Sequence, residues 1–142
     1  MNFLRSLWRI WESFFSKERG INPGDLVARF IIDKRHYSPE NKRVKPGAFF
    51  PEPTGETSVC IVETLSEEEI WAWGAQYVET NIRRIRARAE LTAKVVSDAR
   101  LTLLPDAPPP RHGKIVGWPR EKDEQKAYAL ELAQGSVLKL RT

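Results

Sequence analysis

Residues Arg29 to Pro53 read RFIIDKRHYSPENKRVKPGAFFPEP, and this stretch joins an apolar run, a basic loop and a histidine. Leu26, Val27 and the apolar residues 30–32 form a short, partly β-branched run, and the turn-forming residues 22–25 (NPGD) precede it. This composition predicts a buried strand. We expect the elements on both sides of the strand to pack around it.

A basic loop follows this strand. Between Lys34 and Lys45 five cations stand against one anion, Glu40, which gives a local charge of about +4. Pro39 and Pro46 disfavour a helix in the loop. A solvated surface loop and an anion-binding loop are both consistent with this charge.

A second basic cluster, residues 83–88, lies at the end of the predicted main helix. Cations at that end stabilise a helix without any ligand, so the cluster also has a purely structural interpretation. If the two clusters meet in space, they form one patch for an anion. The candidate anion-binding residues are Lys34, Arg35, Lys42, Arg43, Lys45, Arg83 and Arg84.

Residues 1–19 carry the clearest helical periodicity in the chain, with an aromatic apolar side and a polar side. They predict an amphipathic helix appended to a single domain that spans 20–142. Such a helix packs on its own domain, lies on a membrane surface, or binds a partner protein or a second copy of the chain. Aromatic residues suit a protein partner because they dominate interface energies. The candidate protein-binding residues are Phe3, Leu7, Trp8, Trp11, Phe14 and Phe15.

The patterns in residues 20–142 predict an α+β fold, with a small mixed or antiparallel sheet packed by two helices. Ser66 and Glu69 form a capping box at the start of a main helix predicted over 66–85. A short helix is expected at 92–99, and the second long helix is expected from Pro119 to Gly135. The core-facing residues predicted for the main helix are Ile70, Trp71, Gly74, Tyr77, Val78, Ile82 and Ile85. Further strands are predicted at 57–63, 87–91, 101–104 and 137–141, and the first of these is expected to pair with 48–50 or with the strand that begins at Leu26.

The composition is that of a globular chain of one-domain size. Of 142 residues, 41% are hydrophobic and 30% are charged, and the formal net charge of +4 suits acidic partners without requiring nucleic acid. Cys60 is the single cysteine, which excludes an intrachain disulfide and fits a reducing compartment. No apolar run is long enough to span a membrane, and charges interrupt the apolar residues at the N-terminus, so we expect the cytoplasm.

No sequence motif for a cofactor, a metal or a known catalytic machinery is present, so we expect no cofactor. His36 and His112 both have basic neighbours in the sequence. Two histidines and nearby cations are the ingredients of metal-independent phosphodiester cleavage, in which one histidine is the base and the other is the acid. Ordinary hydrogen bonding of two loop histidines explains the same residues.

Five blocks of the chain resemble a group of small uncharacterised bacterial proteins with no established activity. The blocks are HYS, VKPGAFFPEP, EEEIWAWG, LLPDAPPPRH and IVGWPREKDEQKAYALELA. The resemblance extends from Asp25 to Leu140 and implies one compact domain. It includes both histidines and Trp118 and leaves out residues 1–19, which agrees with an attached helix.

Two functions are therefore expected from the sequence. The first is a cytoplasmic adaptor or accessory subunit that docks on a larger protein through residues 1–19 and holds an acidic or phosphate-bearing ligand at its basic loop. The alternative is a small metal-independent ribonuclease or nucleotide-processing enzyme that uses His36 and His112. Attachment to a membrane surface by the same helix is a third, weaker option.

Overall fold

The computed structural model describes residues 20–142, which form an α+β fold with an antiparallel sheet of six strands and three α-helices. The strands are β1 (Leu26–Ile31), β2 (Tyr37–Ser38), β3 (Arg43–Val44), β4 (Thr57–Ile61), β5 (Ala87–Thr92), β6 (Thr102–Pro105), β7 (His112–Val116) and β8 (Val137–Leu140). The helices are α1 (Glu67–Tyr77), α2 (Ala93–Asp98) and α3 (Lys122–Gln134). Two 3-10 turns, Lys34–His36 and Pro46–Phe49, lie in and after the basic loop. The predicted α+β class is confirmed.

The main sheet has the strand order β6-β7-β4-β1-β5-β8, and every neighbouring pair in it is antiparallel. β2 and β3 form a separate two-stranded ribbon within the basic loop. The predicted strand after residues 22–25 is β1, and it lies in the middle of the sheet between β4 and β5. It is apolar on both faces because both faces of the sheet are covered.

The two faces of the sheet carry separate apolar clusters. On one face Ala28 and Phe30 of β1 pack with Ile70 and Trp73 of α1. On the other face a larger cluster contains Val27 and Ile31 of β1, side chains of α2 and α3, and Phe49 of the second 3-10 turn. Successive residues of a strand point to opposite faces, so β1 contributes to both clusters. The helices therefore cover both sides of the sheet.

The main helix is shorter than the prediction. Its capping box is confirmed, because Ser66 accepts from the Glu69 N–H and the Glu69 carboxylate accepts from the Ser66 N–H. The helix ends at Tyr77, whereas the prediction placed its end at Ile85. The chain turns beyond it, where Thr80 Oγ1 accepts from the Arg83 N–H. As a result Ile82, predicted to face the core, is 90% exposed.

Three other features of the fold differ from the predictions. Residues 48–50 do not form a strand, because Pro46–Phe49 is a 3-10 turn whose Phe49 is buried. β4 pairs with the other predicted partner, β1, and also with β7. The last helix begins at Lys122 after an extended Glu121, three residues beyond Pro119. The predicted fold class named two helices, but the short helix expected at 92–99 is also present as α2, capped by the Thr92 side chain, so the described residues contain three.

One member of the second basic cluster, Arg88, is a core residue. It is fully buried on β5, where its guanidinium donates to Glu67 and Glu90 and lies 4.7 Å from the centre of the Trp71 ring. Two carboxylates and an aromatic face compensate for the loss of water around a buried guanidinium. Arg88 therefore belongs to the fold and not to an anion-binding surface.

The amphipathic helix predicted for 1–19, with its candidate residues Phe3, Leu7, Trp8, Trp11, Phe14 and Phe15, lies outside the described residues. Within residues 20–142, no helix combines the length and the apolar character needed to cross a membrane.

Candidate functional site

β1 and β4 separate partway along their length. They pair at Val27 with Ile61 and at Ala28 with Cys60, and the pairing stops there. β1 continues along β5 to Ile31, and β4 continues along β7 to Thr57. A gap therefore opens in the middle of the sheet, and backbone groups that would have paired across it need other partners.

Arg29 occupies this gap. Its Nε donates to the carbonyl oxygen of Ala48 and its Nη1 donates to the carbonyl oxygen of Ser58 on β4, both at 2.9 Å. Nη2 has no hydrogen-bond partner among residues 20–142, and Arg29 lines a pocket. Burial lowers the pKa of Arg29, and the carboxylate of Glu52 opposes this effect. Arginine remains protonated in proteins, so the gap holds a fixed cation with free donors.

The pocket at this gap has a volume of about 420 Å³. Both candidate histidines line it, together with Arg29, Arg83 and the carboxylates of Asp33 and Glu52. The histidines reach the pocket from different faces of the sheet. His112 pairs with Cys60 and so shares the face covered by α1, whereas His36 contacts Gly47 of the 3-10 turn that packs on the other face.

His112 is oriented by Asp106. The prediction placed this histidine in a loop, but it is the first residue of β7. Its Nδ1 lies 3.0 Å from the backbone carbonyl oxygen of Asp106 and 3.1 Å from the Oδ2 atom of the same residue. The carbonyl oxygen accepts a hydrogen bond from Nδ1–H, which leaves Nε2 as the nitrogen that exchanges a proton. Lys114 Nζ, 3.8 Å from Oδ1, also attracts this carboxylate.

His36 ends the 3-10 turn Lys34–His36 and is half-buried. Its ring lies so close to Gly47 that a Cβ atom at position 47 would be 2.8 Å from Cδ2. Burial lowers the pKa of His36; Arg29 and Arg35 contribute to the lowering, and Asp33 opposes it. The ring is therefore held in its neutral form at neutral pH, as a general base requires.

Aromatic side chains form one wall of the pocket. Trp73 and Phe30 stack with their ring centres 6.0 Å apart, and the Tyr77 ring is 5.0 Å from that of Trp73. The sequence left Trp73 open as a rim residue of the core or an exposed anchor for a ligand, but it is 2% exposed, and its Nε1 donates to the carbonyl oxygen of Pro110. A rigid aromatic wall beside fixed cations suits a ligand with a planar ring and an anionic group.

The predicted anion-binding residues are distributed unevenly around the pocket. Arg83 lines it, and Lys34 and Lys45 are exposed beside His36, since Lys45 N–H donates to the His36 carbonyl oxygen. Arg35 and Arg84 are each engaged by a carboxylate, Asp33 at 2.6 Å and Glu79 at 3.4 Å. Lys42 lines a different cleft, and Arg43 is exposed on β3.

Three residues at the pocket were not among the candidates from the sequence: Arg29 and Tyr77 line it, and Asp106 contacts His112. Arg29 lies within an apolar strand, and a single cation in such a strand does not indicate a site. Asp106 lies in the proline-rich connector 105–110, six residues before the histidine that it orients. Among residues 20–142, no group of three or more histidine, cysteine or acidic side chains is arranged to hold a metal ion.

Comparisons of the chain with protein-family models, with curated proteins and with solved structures found no match.

Proposed function

We propose that the domain formed by residues 20–142 cleaves ribonucleotide phosphodiester bonds by acid–base catalysis, with His36 as the general base and His112 as the general acid. The observation that carries this proposal is that both histidines line one pocket, which they enter from opposite faces of the sheet. A displacement at phosphorus needs its base and its acid on opposite sides of the reacting phosphate.

In the proposed reaction, neutral His36 accepts the proton of a ribose 2′-hydroxyl, and the 2′-oxygen attacks the adjacent phosphorus. The bond from phosphorus to the 5′-oxygen breaks, and His112 gives its Nε2 proton to that leaving oxygen. The products are a 2′,3′-cyclic phosphate and a free 5′-hydroxyl. Water then restores the two protonation states by proton exchange.

Two arginines are suited to the charge that develops on the phosphate. Arg29 is held by two backbone carbonyls, so its free Nη2 is positioned in advance and needs no reorganisation. Arg83 is exposed at the same pocket and has no ion pair among residues 20–142. Within the aromatic wall Phe30 and Trp73 are buried, so the half-buried Tyr77 is the member suited to contact a nucleobase.

The experiment is cleavage of a fluorescent oligoribonucleotide by the full chain in the presence of EDTA. We expect the wild type to cleave it, and we expect His36→Ala and His112→Ala each to lose at least about 100-fold in rate, because general acid–base catalysis contributes about 10²–10⁴-fold. Thermal unfolding of each variant should follow that of the wild type closely. Lys126→Ala, an exposed change on α3, is the matched control and should keep full activity.

Either of two results would reject the proposal. One is the absence of cleavage by the wild type. The other is equal cleavage by the wild type and both histidine variants, which would indicate a copurifying nuclease.

The adaptor function is a separate proposal, supported by the aromatic side of the helix predicted for 1–19. It concerns where the protein docks and is compatible with chemistry at the pocket. Affinity purification with the full chain and with a chain that begins at Gly20 tests it. A stoichiometric partner that is lost from the shorter chain and also from a Trp8→Ala, Trp11→Ala variant supports docking, whereas a partner retained by both excludes this role for the helix.

A further inference from the structure

A second cleft, of about 440 Å³, lies between the start of α1, strand β8 and the β2–β3 ribbon. Trp71 and Glu67 of α1, Lys139 of β8 and Lys42 of the ribbon line it. Lys42 and Lys139 are both exposed, and neither forms an ion pair or a side-chain hydrogen bond among residues 20–142. Two lysines without an ion pair thus line the same cleft as one aromatic residue.

The fold accounts for this convergence. Lys139 pairs with Arg88 across β5 and β8, so its side chain is on the sheet face covered by α1. Trp71 is half-buried, with the Arg88 guanidinium 4.7 Å and the Arg141 guanidinium 6.0 Å from its ring centre. The carboxylate of Glu67 is directed to Arg88, and that hydrogen bond lowers the pKa of Glu67 despite the opposing effect of burial. Arg88 is shared with Glu90, and the charge of Lys139 also contributes to lowering the pKa of Glu67, so the cleft combines one carboxylate with two lysines.

The cleft and the histidine pocket share two elements. Helix α1 contributes Trp71 to the cleft and Trp73 to the pocket, and the basic loop contributes Lys42 to the cleft and His36 to the pocket. An aromatic platform flanked by unpaired cations is the usual arrangement for holding one nucleotide of a single strand. A strand that enters the pocket has this second platform on the same helix and loop.

We propose that the cleft is a second nucleotide subsite, in which a base stacks on Trp71 and the phosphate contacts Lys42 and Lys139. The ligand is accordingly a single-stranded RNA of several nucleotides and not a free mononucleotide. The choice of RNA rests on the proposed function, whereas the cleft itself is an independent observation.

The test measures binding without cleavage. A fluorescein-labelled 2′-O-methyl oligoribonucleotide of about ten nucleotides lacks the attacking hydroxyl, so fluorescence anisotropy with the full chain reports affinity alone. The variant carries Lys42→Gln and Lys139→Gln. Its control carries Lys122→Gln and Lys126→Gln, two exposed lysines of α3, the helix that covers the other face of the sheet. All titrations are repeated between about 50 and 200 mM salt.

We expect the slope of log affinity against log salt to become shallower by about 1.4 in the cleft variant relative to its control, since each phosphate contact to a single strand contributes about 0.7. A Trp71→Leu variant should lose about 5- to 150-fold in affinity through lost stacking. A slope and an affinity equal to those of the control would overturn the proposal, even if Trp71→Leu proved unstable. Equal displacement of the oligonucleotide by a polyglutamate peptide of the same charge would also overturn it, because the cleft would then recognise charge alone.

The outcomes for the cleft and the pocket can be separated. If RNA is not cleaved but the salt dependence of binding becomes shallower in the cleft variant, the proposed catalysis is wrong and the nucleotide subsite is supported. If cleavage depends on both histidines but the salt dependence of binding is unchanged in the cleft variant, only the proposed nucleotide subsite is rejected.

Discussion

Replacing Gly47 with alanine should disable the site without unfolding the protein. The added Cβ would lie 2.8 Å from His36 Cδ2 and 3.1 Å from Nε2, whereas ordinary contact begins at 3.4 Å. The ring must therefore retreat by about 0.6 Å, the difference between 3.4 and 2.8 Å. His36 is half-buried and borders an open pocket, so it has space to move.

The expected loss follows from this displacement. Misplacing a reacting group by about 1 Å costs roughly 100-fold in rate, so we expect Gly47→Ala to lose roughly 10- to 100-fold in RNA cleavage. The effect on stability should be modest. Overpacking costs about 1–3 kcal/mol, and replacing glycine lowers the entropy of the unfolded chain, which stabilises the fold by about 0.4–1 kcal/mol. The net destabilisation is at most about 2.6 kcal/mol, so a decrease in Tm of no more than about 10 °C is expected for a domain of this size.

The assay compares initial cleavage rates and thermal unfolding of the wild type, Gly47→Ala and Gly24→Ala. Gly24 is the matched control, because a Cβ there meets no heavy atom within 4 Å. A Gly47→Ala variant that cleaves RNA as fast as Gly24→Ala would refute the assignment of His36 as the base. A Gly47→Ala variant that is globally unfolded would show that Gly47 is part of the core and not a support for His36.

Three further predictions concern His36 and Arg88. Because burial lowers the pKa of His36, the acid limb of the pH–rate profile should have its midpoint below the usual histidine value of about 6.5, and a midpoint at or above that value would contradict the assignment. The unfolded chain protonates His36 more readily than the folded chain does. Neutral His36 therefore contributes fully to stability above about pH 6.5, and this contribution is lost as the pH falls through the folded-state pKa of His36. Arg88→Met should lower the free energy of unfolding by about 3–5 kcal/mol in urea titrations, because it leaves the largely buried carboxylate of Glu90 without its cation. The exposed Arg120→Met change should stay within about 0.5 kcal/mol, and equal effects of the two would show that the buried ion pairs contribute nothing.

The sequence predicted the elements that depend on local signals. The β1 strand, the capping box at Ser66 and Glu69 and the short helix after Thr92 are all encoded within a few residues of their position. The end of α1 was wrong because apolar spacing continues past Tyr77, whereas the actual end is set by Thr80 and by Glu79, whose carboxylate accepts from the Ile85 N–H. The burial of Arg88 could not be inferred either, since it depends on Glu67 from a distant element.

The candidate site was predictable only in its residue types. The basic neighbours of His36 and His112 suggested phosphate chemistry, but no local signal indicated that they line one pocket. That arrangement follows from the divergence of β1 and β4 after Ala28, which is a property of the whole sheet. Arg29 was missed for the same reason, because its role depends on carbonyl groups of Ala48 and Ser58 that are close to it only in the folded chain.

The most direct test of the proposed chemistry is to identify the ends of the cleaved RNA. The full chain is incubated with a defined oligoribonucleotide in EDTA, and the products are analysed by mass spectrometry alongside those of His36→Ala and His112→Ala. The account predicts fragments with a 2′,3′-cyclic phosphate and a 5′-hydroxyl from the wild type and intact RNA from both variants. Fragments with a 3′-hydroxyl and a 5′-phosphate, or no fragments from the wild type, would contradict catalysis by this pair of histidines.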